Sequence, residues 1–513
     1  MSTSTICIII AMVLYMVVII SVGIYFSKKN KSSDDFYLGG RKLGPFVTAM
    51  SAEASDMSSW LLMGLPGLAF VAGIAEPVWT AIGLAIGTYI NWLIVAKRLR
   101  RYSQAAGNAI TIPEFFRNRF GDNKNILLAI SALAILIFFV PYTGSGFAAC
   151  GKLFSTLFGV DYHIAMLVSA AIIVMYTMLG GFLAASVTDL IQSIVMTIAL
   201  IVVVVFGVSV AGGFDAVIEN AKTIPGYLNL TETADIVTKK TGPYDFLTIV
   251  STLAWGLGYF GMPHILLRFM GTSEEKNIKT SRRIATVWVV VSMAVAIFIG
   301  IVAFAMGTKG EIPLYETSAD AEKSIISIST LLSENGVIAA LVAGVILSGI
   351  LACTMSTSDS QLLAASSSVS QNLIVDALKV NLSDKKKLLI ARITVVIIAV
   401  IGVVIAWDPE SSVFKIVSFA WAGFGATFGP IMLFALFWRR TNKWGALAGM
   451  LSGLIMVFVW KYLVRPLGGV WDLYELLPAF IVSAILIVVI SLITAPPEKE
   501  ITDVFDKVKS GNN

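Results

Sequence analysis

The stretch Met50-Ser51-Ala52-Glu53-Ala54-Ser55-Asp56-Met57-Ser58-Ser59-Trp60 sets two carboxylates and four serines in the middle of a run, 46–72, that is otherwise apolar enough to cross a membrane. A carboxylate at the centre of a bilayer costs at least ~2.5–3.5 kcal/mol unless it is paired or hydrated. Such residues therefore mark either a functional site or a helix contact in which polar groups satisfy one another. The density of acids and hydroxyls favours the site. A further run, 246–267, is interrupted by Trp255-Gly256-Leu257-Gly258-Tyr259-Phe260-Gly261-Met262-Pro263, where three glycines and a proline undermine the helix while the aromatics remain. Taken alone, that stretch fits a glycine-lined packing face with a kink as well as it fits a break.

The interval between the two stretches separates these readings. A span needs ~20 predominantly apolar residues, and the chain holds thirteen such segments, at about 5–26, 46–72, 76–96, 126–150, 162–180, 189–211, 246–267, 284–307, 336–357, 388–407, 412–437, 444–464 and 473–494. The interrupted ones are segments two and seven, five apart. Many secondary transporters consist of two inverted repeats whose first helices are both broken near the bilayer midplane, and irregular backbone is tolerated there only where it lines a cavity.

The composition agrees with a membrane protein. Hydrophobic residues make up 57% and charged residues 13% of the 513, about half the charged share of a soluble domain. The net charge of +5 reports topology rather than an acidic or nucleic-acid partner, because 28 of the 37 Lys and Arg residues fall after segments one, three, seven, nine and eleven and in the C-terminal tail. Basic residues stay on the cytoplasmic side, so thirteen spans place the N-terminus outside and the C-terminus in the cytoplasm. The first segment has no basic stretch before it, and Lys28, Lys29 and Lys31 follow it, which reads as an uncleaved span rather than a signal peptide. Residues 1–495 form a single transmembrane transporter domain, and 496–513 are a short polar cytoplasmic tail.

Cys7, Cys150 and Cys353 lie in apolar stretches without the spacing of a disulfide framework or zinc site. His163 and His264 are too few for a histidine-based metal or catalytic cluster, and a membrane enzyme would need a nucleophile–base pair or metal cluster that the sequence does not offer. Segment nine ends in Leu351-Ala352-Cys353-Thr354-Met355-Ser356-Thr357-Ser358-Asp359-Ser360, which places hydroxyls near the cytoplasmic side of a helix. Such oxygens suit a hard cation such as sodium, although hydroxyls in spans more often bond back to their own helix. Gly180-Gly181 followed by Thr188-Asp189 reads as a helix end, a tight connection and an N-cap. The glycine-spaced stretch from Trp421 to Pro430 reads as close helix packing.

These segments resemble the sodium/solute symporter family, most closely its proline-transporting branch, from Phe36-Tyr37-Leu38-Gly39-Gly40-Arg41 to the last span. The matching motifs are Ser55-Asp56-Met57-Ser58, Leu62-Met63-Gly64-Leu65-Pro66-Gly67, Trp255 to Gly261, Pro263-His264 and Met355-Ser356-Thr357. The resemblance implies an all-α fold of thirteen spans with a LeuT-like 5+5 inverted-repeat core in spans two to eleven, multi-pass in the cell membrane, here the bacterial inner membrane. It implies sodium-coupled uptake of L-proline by alternating access, with Na+ as the coupling ion and no cofactor or other metal; oligomeric state is left open. Carried onto this sequence, the sodium site uses the backbone carbonyls of Ala54, Met57 and Cys353 with the hydroxyls of Ser356 and Thr357, and Asp56 is the acid linked to sodium. Ser58, Tyr142, Trp255, Tyr259 and Pro263 are the implied substrate residues, while Arg41 and Asp189 match positions with gating or structural roles. Three positions depart from the pattern: Glu53 and Ser59 stand where the proline transporters commonly have glycine, and Met262 where they commonly have glutamine. Pantothenate, a sugar or another amino acid stays open as the substrate, as does a transporter-derived solute sensor.

Overall fold

The computed structural model describes residues 2–28 and 33–511; Lys29 and Lys31, counted above for topology, lie outside them. Among the described residues ten helices are long and apolar enough to cross a membrane: Thr3–Phe26, Ala75–Ala105, Ile126–Phe158, Phe182–Val210, Asn277–Thr308, Val337–Ala377, Lys385–Ile405, Val413–Phe437, Lys443–Leu467 and Leu476–Ile493. An eleventh crossing is the bent pair Phe246–Phe260 and Pro263–Gly271, whose halves meet at 44°. Segment five forms a shorter apolar helix, Tyr162–Met178.

Segment two is helical on either side of its polar stretch. Pro45–Ser59 leads into a wide turn over Trp60–Gly64, followed by Leu65–Ala72. The irregularity sits at Ser58, with φ 40° and ψ −169°, a conformation that L-residues rarely adopt. Segment seven changes character in the expected place: Phe246–Leu253 is α-helical, Ala254–Phe260 winds into a tighter 3-10 helix, and Met262 is extended before Pro263 starts the next helix. Its glycines also serve packing, so both readings of that stretch hold. A Cβ on Gly256 would lie 2.1 Å from the Gly83 carbonyl oxygen of segment three, and one on Gly258 would lie 1.9 Å from the Trp421 indole nitrogen of segment eleven. The Trp421–Pro430 stretch packs closely as well, with Gly423 against Phe138 and Gly429 against Phe480.

Three expectations are corrected. Asp189 is not an N-cap: the sixth helix begins at Phe182 after Gly181, and Asp189 is fully buried two turns inside it. The hydroxyls of segment nine are not near a helix end, because that helix runs on to Ala377. Thr357, Ser360, Ser367 and Ser370 donate to carbonyls three or four residues earlier, so a polar sequence continues as helix without unsatisfied hydroxyls. Arg268, counted with the loops, is a buried residue of the Pro263–Gly271 helix.

One end of the bundle, called here the basic end, gathers Lys97–Arg101, Arg117–Arg119 and a C-terminal helix, Lys499–Ser510. Arg101 grips Glu275 with two bonds of 2.9 and 2.7 Å and donates to the Val508 carbonyl. Those bonds hold the Glu275 carboxyl below the usual carboxylate range. Arg439 pairs with Asp506 at 3.0 Å, so the residues after 496 dock onto the bundle. At the other end residues 212–245 form a helix, Phe214–Lys222, and an antiparallel hairpin pairing Glu232–Asp235 with Lys240–Pro243.

Candidate functional site

The break in segment two faces segment nine. Ser356 Oγ donates to the Ala54 carbonyl at 2.8 Å and lies 3.1 Å from the Cys353 carbonyl, to which Thr357 Oγ1 also donates at 3.0 Å. Four of the five expected sodium ligands are thus joined by short hydrogen bonds. The fifth, Met57, is buried, and its carbonyl accepts from the Trp60 amide across the irregular turn. Every one of these residues is 3% exposed or less, and none carries charge, so what the break and segment nine share is a neutral set of buried hydroxyl and carbonyl oxygens.

Asp56 points away from segment nine. Its Oδ2 accepts a 2.6 Å bond from the Tyr259 hydroxyl of segment seven, and its backbone carbonyl accepts at 3.0 Å from Tyr142 of segment four. Tyr142 also lies against Ser58. Ser58, Tyr142, Asp56 and Tyr259 therefore meet where both interrupted helices lose regular winding. Trp255 completes one wall. Its ring is 5.2 Å from Tyr474, 5.4 Å from Phe414 and 6.2 Å from Trp60 and Trp421, and its carbonyl accepts from Trp421 Nε1. Tyr259 meets Trp421 edge to face at 5.1 Å. Pro263 is the first residue of the helix after the break. The result is an aromatic cluster with a carboxylate and two phenol hydroxyls beside it.

Arg41 and Asp189 lie apart from that cluster, toward the basic end. Arg41 donates to Ser103 Oγ, Asn108 Oδ1 and the carbonyls of Met270 and Ala109, which ties the end of segment three to the end of segment seven. Asp189 Oδ2 accepts from Ser51 Oγ at 2.6 Å and from Arg268 Nη2 at 3.1 Å. Arg268 also donates to Ser51, to the His264 carbonyl and to Ser360. One guanidinium, 1% exposed, thereby joins segments two, six, seven and nine below the expected ion site. Nothing in the sequence singled out Arg268, whose position near a run's end mimics a topology anchor.

Another buried pair also escaped the sequence reading. Lys152 Nζ lies 2.6 Å from Glu322 Oε2 with both side chains 1% exposed or less. Glu322 further accepts from Ser412 Oγ and from the Val413 and Phe414 amides, at the start of the Val413–Phe437 helix. Lys152 is far from its partner in sequence, and its surroundings read as an ordinary span end.

Comparison with known proteins gives this geometry a family. The profile of the sodium:solute symporter family matches residues 36–453. The chain belongs to that family. A sodium/proline symporter of Haemophilus influenzae is 43% identical over 96% of this chain and 95% of its own length, and the osmoregulated proline transporter OpuE of Bacillus subtilis is 40% identical over 96% of each. Among solved structures, a substrate-bound, outward-open Na+-coupled sialic acid symporter superposes with a TM-score of 0.77 at 17% identity, covering 96% of this chain and 99% of that one. A nucleobase-cation-symport-1 family transporter in a closed conformation gives 0.52 at 13%, covering 92% and 97%. This member of the sodium:solute symporter family therefore has the LeuT-like sodium-symporter fold, and its relatives are transporters rather than enzymes.

Proposed function

We propose that the protein is a sodium-coupled symporter that carries L-proline into the cell by alternating access. The observation that carries the ion half of this reading is the 2.8 Å contact of Ser356 with the Ala54 carbonyl at the break in segment two. The names of relatives sharing 43 and 40% of their residues over nearly full length support the substrate half.

Sodium binds between segments two and nine, on the carbonyls of Ala54, Met57 and Cys353 and the hydroxyls of Ser356 and Thr357. Asp56 supplies the balancing negative charge, one residue from Met57 and two from Ala54. Proline occupies the adjoining enclosure of Ser58, Tyr142, Trp255, Tyr259 and Pro263, where a compact apolar ring meets aromatic faces and the zwitterionic head meets hydroxyls and the broken backbone. Ion binding at the break organises this enclosure, which couples the two solutes. Arg41 and Asp189 act in gating, on the basic end. One sodium ion entering down ~100 mV supplies ~2.3 kcal/mol and a tenfold gradient ~1.4 kcal/mol, enough for accumulation of several hundred-fold without ATP.

The topology belongs to the same proposal. Thirteen spans within residues 1–495 place the N-terminus outside and the basic end, with the 496–513 tail, in the cytoplasm of a bacterium whose plasma membrane holds the protein. Labelled proline uptake into proteoliposomes under an imposed inward sodium gradient tests the function. Sodium-dependent accumulation that unlabelled proline competes away is the expected result, and its absence with correctly inserted protein overturns the reading.

A further inference from the structure

Segment two carries two pairs of functional groups at the same spacing. Ala54 and Met57 form one i, i+3 pair, and Glu53 and Asp56 form another one residue earlier. Residues three apart share a helix face, and a one-residue offset turns that face by about 100°. The Ala54 carbonyl of the first pair faces segment nine, as its bond from Ser356 shows. The Glu53–Asp56 pair faces segments three and seven: Glu53 Oε1 accepts from Trp92 Nε1 at 3.0 Å, and Asp56 Oδ2 accepts from the Tyr259 hydroxyl.

That acidic corner holds more oxygen than it satisfies. Glu53 and Asp56 are each 1% exposed, and neither forms an ion pair among the described residues. Glu53 Oε2 and Asp56 Oδ1 have no hydrogen-bond partner there. An independent element contributes a further acceptor. Asn91 of segment three, fully buried, fixes its amide nitrogen on the Tyr259 carbonyl at 3.0 Å, while its Oδ1 is without a partner among the described residues. Thr88, one turn earlier, lies against the Tyr259 hydroxyl. Two buried carboxylates without a cation are costly, and the ion site proposed above accounts for one positive charge only.

We propose that Glu53, Asp56 and Asn91, with Thr88 alongside, form a second sodium site on the segment three and seven face of the break, so that two sodium ions accompany each proline. The donor set is made of hard oxygens, as sodium requires, and two monovalent ions neutralise the two carboxylates. This inference rests on the proposed sodium/proline symport, and it makes Glu53, which departs from the proline-transporter pattern, the residue that sets the ion stoichiometry.

The test is the reversal potential of proline-coupled current in proteoliposomes, with a tenfold sodium gradient set against a tenfold opposing proline gradient. At one sodium per proline the gradients cancel and the current reverses near 0 mV. At two, the reversal potential moves to about 30 mV, because 59 mV corresponds to a tenfold ratio for one charge. The expected result is the shifted value for the wild-type protein, unmoved by an imposed pH gradient, and a return toward 0 mV in Glu53→Gln and Glu53→Gly. Sodium-driven proline accumulation that reverses near 0 mV in the wild type overturns the second site and leaves the symport reading intact. A second charge that follows the proton gradient overturns it equally. Loss of all sodium-driven accumulation overturns both readings. The wild-type measurement decides the matter even where a Glu53 variant folds poorly.

Discussion

Asp189→Asn is the substitution from which the most can be learned. The Arg268 guanidinium is 1% exposed, and of the groups it contacts directly, Ser51, His264, Ser360 and Asp189, only the last is charged. Removing one charge from a buried pair costs about 3–5 kcal/mol. The loss is smaller here because an asparagine oxygen can still accept from Nη2 and because Asp359 adjoins Ser360, whose hydroxyl lies 3.3 Å from its Oδ1; about 2–3 kcal/mol is the resulting figure. The network spans segments two, six, seven and nine, so it exists only while their basic-end halves are apposed. In an open conformer water reaches the guanidinium and the penalty vanishes. The closed-to-open ratio should therefore fall by about 30- to 150-fold, at 1.4 kcal/mol per decade. The assay is maleimide labelling of Ala364→Cys, in a background without the three native cysteines. Ala364 lines the narrow cleft that also holds Tyr37, Phe182, Arg268, Ser360 and Ser367. The labelling rate from the basic side should rise by that factor as long as the closed form predominates, and Arg268→Gln added to Asp189→Asn should reverse much of the rise. A rate within twofold of the parent, in protein that folds normally, refutes a gating role and leaves the pair as internal bracing.

Ser58→Ala and Ser58→Gly both remove the hydroxyl that meets the Trp60 amide at 3.3 Å, but only glycine relaxes at φ 40°; the glycine variant should be more stable by about 1 kcal/mol in mixed-micelle unfolding, and equal stabilities would mean that the turn stores no strain. Asp56→Asn should nearly abolish sodium-dependent uptake, whereas Glu53→Gln should leave uptake measurable with weaker sodium dependence; equal losses would show that the ion-linked acid is wrongly assigned. Glu322→Gln should destabilise the protein by about 3–5 kcal/mol, since it strands Lys152, 1% exposed, with only carbonyl partners at Ala319 and Ser411. Lys152→Met should cost less, because Glu322 keeps three donors and a helix N-terminus. Unfolding of the two variants in detergent checks the order, and the reverse ranking would deny the helix terminus its share.

What was legible in the sequence follows from what lipid forbids. Carboxylates and serines in an apolar run, or glycines and a proline in another, conflict with a membrane helix, and a conflict is visible from one residue's neighbours alone. Both interrupted helices could be read that way, whereas the meeting of Ala54 with Ser356 was implied only by the resemblance to the family. The groups that escaped notice break no local rule. Arg268 and Lys152 stand near the ends of apolar runs, where a basic residue is ordinary, and each becomes unusual only when the fold brings an acid 79 or 170 residues away to within 3.1 or 2.6 Å. The misplaced end of segment nine has the opposite cause. Its serines and threonines look like a boundary, yet each can return its hydroxyl to its own helix, so polarity there neither stops the helix nor marks the membrane surface. Glu53 belongs to neither group. It is visible in the sequence as an acid three residues before Asp56, but its meaning depends on which face of segment two it occupies. That face is set by Trp92 and Tyr259, on two other helices, which is why another ion could be argued only once the three segments stood together.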